Sequence, residues 1–190
     1  ILDGISAATR YELGPVKVNC VVQRGVNEHQ IPKLVRKFRG TGVIVRFIEF
    51  MDVGSTNGWT QGQVVPTSEI IDFLSSEFDL TPLARKSASD VASRWAHSDG
   101  SGEIGFISSV SQPFCGDCVR ARLSSDGKFF TCLFTTMGHD MSALIRSGGG
   151  TEGLTQSIEE VWAARKDRYS EERTLDAISL PRVEMSYIGG

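Results

Sequence analysis

The sequence predicts an α/β chain in two parts: a βαβ unit with parallel strands, then an α+β region built around a cysteine-bearing hairpin. Three observations carry this. Residues 15–22 and 43–51 are β-branched, nearly continuous apolar runs, as in strands buried on both faces, and residues 27–39 between them have helical periodicity. The pattern changes after Gly54, where a polar, glycine-rich stretch containing Trp59 runs to Gln63. Further on, Cys115, Cys118 and Cys132 flank an Asp126-Gly127 turn.

Taken in order, residues 1–10 read as the end of a helix. With Ile1 rather than Met at the front, the chain is expected to be a fragment or a processed form. In the first strand Lys17 and Asn19 recur with period two and share one face. Asn27 is the expected N-cap of the helix that follows, with Glu28 in its first turn, and Ile31, Leu34, Val35 and Phe38 form its apolar stripe. Pro32 is tolerated in the first turns, and Gly40 and Gly42 end the helix. Strand, helix and strand of these lengths make a right-handed parallel unit, whose two strands need further neighbours, expected from upstream sequence. Arg46 and Glu49 are costly in a buried strand unless they face a site or a partner. The carboxyl ends of parallel strands carry chemistry, which directs attention to residues 52–55. Residues 67–78 form an amphipathic helix, and residues 90–97 and 103–110 two strands joined by a turn at 98–102. A hairpin over 120–134, a short helix at 140–146, a break at Gly148–Gly150 and a charged helix over 152–169 complete the pattern.

At 190 residues the chain supports one sizeable core or two small ones, and 40% hydrophobic with 23% charged residues is ordinary for a globular protein. A net charge of -3 does not favour nucleic acid or an anionic membrane, so any anion site must be local. No apolar run approaches a membrane span and no secretory signal is visible. Four cysteines in a chain of this length are not a secreted disulfide scaffold, and a CxxC here points to metal or redox chemistry.

Cys115 and Cys118, with Cys132 after thirteen intervening residues, have a metal-site spacing. Thiolates select zinc or iron–sulfur, and the spacing leaves both open. Zinc in a structural site wants four ligands, for which His97 or His139 could supply the fourth; an iron–sulfur cluster on three thiolates keeps one iron open. Cys20, far upstream, reads as a small buried hydrophobe. Arg120 and Arg122 follow on alternate positions, on the same side of an extended chain as Cys118. Guanidinium forks match phosphate oxygens, so this pair favours an anion-binding cluster over structural zinc, although an exposed strand face explains many such pairs. Hairpin register is decisive. A two-residue Asp-Gly turn pairs Cys132 with Ala121, whereas a three-residue loop with Gly127 in the left-handed region pairs Cys132 with Arg120 and puts it on the arginine face. The second is expected.

Ser111-Gln-Pro-Phe-Cys115-Gly-Asp-Cys118-Val-Arg120-Ala-Arg122-Leu, with Gly127 and Cys132, resembles the C-terminal cluster segment of the GTP 3',8-cyclases, radical-SAM enzymes that open molybdenum cofactor biosynthesis. Residues 16–19, 46–54 and 57–59 and the terminal Gly189-Gly190 are similar to that family too. The resemblance implies an incomplete radical-SAM (βα) barrel over 1–54, then an α+β C-terminal domain with an iron–sulfur site over 55–190. It implies that Cys115, Cys118 and Cys132 hold a [4Fe-4S] cluster whose open iron meets the guanine of GTP. It further implies that Arg120 and Arg122 bind GTP, Lys17 and Arg46 its triphosphate, and Met51 S-adenosylmethionine, while Gly189 and Gly190 reach the active site. A frayed terminus is the plainer reading of that tail. GTP is the implied partner, without nucleic acid or membrane, in a cytoplasmic setting if the source is bacterial, with a homodimer possible.

One departure stands out. The CxxxCxxC that holds the family's second, SAM-cleaving [4Fe-4S] cluster is absent from these residues, so the chain by itself is not expected to be active. The rival expectations are a zinc-stabilised nucleotide-binding module and an electron-relay iron–sulfur domain.

Overall fold

The computed structural model describes residues 1–173 and 182–188. It is mixed α/β, and the chain separates into two compact units: residues 1–51 with 59–113, and residues 52–58 with 114–190.

The first unit contains α1 (Leu2–Arg10), β1 (Lys17–Val22), α2 (Ile31–Phe38), β2 (Ile44–Glu49), α3 (Thr67–Ser75), β3 (Leu80–Leu83), β4 (Ser93–His97) and β5 (Glu103–Ile107). Its five strands form one sheet in the order β1-β2-β5-β4-β3. β1 and β2 are parallel, as expected for a βαβ unit, and β5 adds parallel to β2. β4 runs antiparallel to β5 and β3 antiparallel to β4. The neighbour that β2 required thus comes from downstream, beyond residue 54. β3 had no clear pattern in the sequence: it is four residues long and carries Pro82, which an edge position tolerates.

Burial on both faces, expected for β1 and β2, is not found. Only Val22 is buried in β1, and in β2 Val45, Phe47 and Glu49 alternate with half-buried neighbours. One face packs Val45, Phe47, Ile104 and Phe106 against Ile31, Val35, Phe38, Ile70 and Leu74 of α2 and α3. Because side chains alternate and cross-strand partners share a face, the opposite face carries Lys17, Asn19, Arg46, Gly105, Arg94 and Glu103. The helical segment is also shorter than the periodicity suggested. A 3-10 turn (Glu28–Gln30) precedes α2, and Asn27 ties down the end of β1 instead of capping. Its amide donates to the Val21 carbonyl and accepts from the Gln23 N–H, both at 2.8 Å.

Glu49 resolves the question of its cost. Its carboxylate is fully buried and accepts from the backbone N–H groups of Thr67 (2.8 Å), Val110 (2.8 Å) and Ser111 (2.7 Å) and from the Ser111 hydroxyl (2.5 Å). A buried carboxylate with four donors is satisfied, and it fixes the chain leaving β5.

The second unit holds β6 (Arg122–Leu123), β7 (Lys128–Phe130), β8 (His139–Asp140), α4 (Met141–Arg146) and α5 (Gly150–Ala163). The strands form a sheet in that order. Asp140 caps α4 by accepting from the Ala143 N–H at 2.9 Å. α5 ends at Ala163, short of the 169 expected. Buried Asp52 accepts from the Tyr169 hydroxyl (2.5 Å) and pairs with Arg173 (3.0 Å) and Arg182 (2.9 Å). Burial alone would raise the Asp52 carboxyl, but Tyr169, Arg173 and Arg182 hold it below the usual range, while Tyr169 itself is pushed up to about 12 by burial and by Asp52.

Candidate functional site

The hairpin has the three-residue loop. Arg122 pairs with Phe130 and Leu123 with Phe129, a register that, continued, sets Arg120 opposite Cys132. Ser124 closes the loop: its N–H donates to the Lys128 carbonyl at 2.9 Å, and its carbonyl accepts from the Gly127 N–H at 3.0 Å. Gly127 has φ of 85°, and a Cβ there would stand 2.7 Å from the Cβ of Ser142. Both the backbone conformation and the close approach of α4 therefore require glycine. Register is fixed locally by the turn and at long range by α4.

The three thiols lie in one neighbourhood. Cys115 begins a 3-10 turn that runs to Asp117, and Cys118 follows it in extended conformation. Burial first pushes the Cys132 thiol up, with added electrostatic contributions from Asp167, Cys115 and Cys118, against the Phe134 N–H. The Arg120 guanidinium lies 3.8 Å from the Cys118 Sγ and 5.4 Å from the Phe114 ring centroid. Arg122 is half-buried; burial lowers its pKa and Arg120 adds to that, while Cys132 and Cys118 act the other way. No group of three or more His, Cys, Asp or Glu side chains among the described residues stands at metal-ligand spacing. The donor type and the neighbouring guanidiniums fit a thiolate-held group, while the three thiols are not drawn together to ligand distance.

Residues outside the cysteine segment frame it. Arg165 donates to the Cys118 carbonyl at 2.7 Å and stacks 4.5 Å from the Trp162 ring centroid. Its other terminal nitrogen is buried without a partner among the described residues. Glu171 accepts from the Gly116 N–H at 3.3 Å, and Asp167 from the Thr131 hydroxyl at 2.6 Å. Sequence reasoning missed all three because they come from a distant segment that only folding brings here. The tail is anchored as well: the Tyr187 hydroxyl donates to Asp126 at 2.7 Å, its ring meets Phe130 edge-on at 6.2 Å, and Ile188 is buried. Gly189 and Gly190 lie outside the described residues.

In the first unit, Lys17 and Arg46 line one cavity of about 450 Å³ on the polar face of the sheet. Arg46 donates through Nε to Asn19 at 2.8 Å. Met51 follows β2, half-buried. Of the histidines, His97 is buried edge-on to Phe78 at 5.7 Å, whereas His29 neighbours Gln30 and His139 is exposed on β8. Cys20 packs against the core, and burial raises its thiol pKa. Among the described residues no helix is long and apolar enough to cross a membrane.

The sequence profile of the family described as Molybdenum Cofactor Synthesis C matches residues 43–171, more than half of the chain and all of the cysteine hairpin. The chain belongs to that family. Among curated relatives it is similar to a GTP 3',8-cyclase of Xanthomonas campestris pv. campestris (strain B100), 48% identical over 190 residues, covering all of this chain and 56% of the relative. A GTP 3',8-cyclase of Acidothermus cellulolyticus is 42% identical over 215 residues, covering all of this chain and 59% of that protein. One from Staphylococcus epidermidis is 44% identical over 179 residues, covering 92% of this chain and 53% of the relative. The chain thus spans little more than half the length of the relatives it matches. As a member of Molybdenum Cofactor Synthesis C, it has Arg46, Met51, the three thiols, Arg120 and Arg122 inside the matched stretch, with Lys17 upstream of it.

Proposed function

We propose that this chain is the C-terminal part of a GTP 3',8-cyclase, whose complete form converts GTP to (8S)-3',8-cyclo-7,8-dihydroguanosine 5'-triphosphate by SAM-dependent radical chemistry. The observation that carries the reading is the three-residue hairpin loop, whose Arg122–Phe130 pairing, carried one pair further along each strand, would bring Cys132 and Arg120 face to face, in a chain of this family. In this reading Cys115, Cys118 and Cys132 hold a [4Fe-4S] cluster, which supplies an open iron for a donor atom of guanine. Arg120 and Arg122 grip the nucleotide with guanidinium forks. Lys17 and Arg46 bind the triphosphate, and their shared cavity supports this. Met51, at the end of β2, contacts SAM. Gly189 and Gly190 enter the site, a reading supported by the docking of Tyr187 and Ile188 just before them. Parallel pairing of β1, β2 and β5 supports a barrel-derived sheet that continues past residue 54. The chain's residues orient GTP and exclude water, while the hard chemistry belongs to the cofactors. A zinc-stabilised module is not favoured by the relatives' names.

Iron and sulfide are to be measured after anaerobic purification, and GTP binding by its effect on the visible spectrum. Arg120→Ala or Arg122→Ala should weaken GTP binding about tenfold or more, as loss of a charge-assisted contact does, with iron content retained. Cys115→Ser should lose iron first. One equivalent of zinc without visible absorption would overturn the reading, and a GTP-silent cluster would favour an electron relay.

A further inference from the structure

The cavity around Lys17 and Arg46 holds two features that no sequence motif marked. Its wall includes Lys86, Arg94, Asp90 and Glu103, and its floor includes Gly105. The carboxylate of Glu103 is engaged by Arg94 at 2.6 Å. Asp90 is turned into its own loop, accepting from the N–H groups of Lys86 (2.9 Å) and Ser87 (3.1 Å). Arg85 closes the same loop on the carbonyls of Ala88 (2.6 Å) and Asp90 (2.7 Å). Four hydrogen bonds thus hold a short loop that presents Lys86, whose ammonium has no ion pair among the described residues. Across the sheet, Gly105 pairs with Arg46 on one side and Arg94 on the other. A Cβ at Gly105 would stand 3.0 Å from Cγ and 3.5 Å from Cδ of Arg46. The Arg46 stem therefore lies in the space a side chain would fill, while Asn19 holds its Nε and leaves the outer nitrogens for a ligand.

We propose that Gly105 and Lys86 complete the polyphosphate end of the nucleotide site. Gly105 is a positioning residue that lets Arg46 lie flat on the sheet, and Lys86 is a third cation on the phosphates. The inference rests on the reading that Lys17 and Arg46 face a triphosphate. It deepens that reading by electrostatics: a triphosphate carries several negative charges, and Lys17, Arg46 and Lys86 are the lining cations not engaged by a carboxylate among the described residues.

The test is calorimetric binding of inorganic tripolyphosphate and of GTP to the full-length protein at two ionic strengths. Lys86→Gln should weaken both ligands about threefold to tenfold and flatten the salt dependence, as loss of one exposed cation does. Gly105→Ala should weaken both, and Gly105→Val more so, but Gly105→Ala should change nothing further in an Arg46→Ala background, because it acts through Arg46. Should Gly105→Val fail to fold, the alanine cycle alone decides. Unchanged affinity in Lys86→Gln, or weakening of GTP but not tripolyphosphate, overturns the role of Lys86. An equal loss from Gly105→Ala with and without Arg46 overturns the role of Gly105. Wild-type protein that binds neither ligand overturns the assignment of Lys17 and Arg46, and this inference with it.

Discussion

Glu49 shows how one side chain organises its surroundings. It leaves the end of β2 on the core face, where an unpaired carboxylate would be expelled, yet it is fully buried. Three backbone N–H groups and one hydroxyl converge on it from the start of α3 and the segment after β5. The Thr67 N–H among them is buried, and Glu49 is the acceptor that satisfies it. Glu49→Gln keeps the shape but turns one acceptor into a donor that faces donors. The expected cost is about 2–4 kcal/mol, seen as a lower urea midpoint at unchanged slope. Equal midpoints would mean that water replaces the lost bonds.

Two elements carry predictions of their own. In the hairpin, Gly127 combines a positive φ with the contact to Ser142. Gly127→Val strains the backbone and pushes against α4, at about 1–3 kcal/mol, and disturbs the loop that sets the Arg122–Phe130 pairing. On the proposed cluster reading, iron retention should fall in this variant although every thiol remains; full iron content would show that register does not matter. In β4, burial pushes the His97 ring down, with Arg39 acting the same way and Asp99 against. The folded protein therefore refuses a proton that the unfolded chain accepts below about pH 6.5. Since the unfolded state binds more protons there, stability of the first unit should fall as pH drops from about 6.5. His97→Phe should flatten that slope, as read by Trp95 fluorescence in urea titrations at several pH values; a slope unchanged by the substitution would assign it elsewhere.

At the scale of the whole chain, the two units have separate interiors, one built on the five-stranded sheet and the other on the hairpin with α4 and α5. Damage to one should be local. Hydrogen exchange of Gly127→Val should show lost protection over residues 122–130 and 139–163, with residues 17–22, 44–49 and 103–107 protected as before. Loss of protection throughout would show that the units fold as one. The net charge of -3 coexists with local groups of cations, Arg120 and Arg122 near the thiols in one unit and Lys17, Arg46 and Lys86 on the sheet face in the other.

The sequence by itself determined the parallel βαβ pairing, the Lys17–Asn19 face and the hairpin register, because side-chain alternation, helical periodicity and turn chemistry act over a few residues. It also determined the family resemblance, through a cysteine–arginine spacing confined to one segment. The tertiary structure decided that β5 completes the sheet beside β2, that β1 is open on one face, and that Asn27 ties a strand instead of capping a helix. It alone brought Arg165, Asp167 and Glu171 to the cysteine-bearing segments, satisfied Glu49, and laid Arg46 over Gly105 in a cavity that Lys86 also lines. Those outcomes depend on residues tens of positions apart meeting at packing and hydrogen-bond distance, for which a linear pattern has no period.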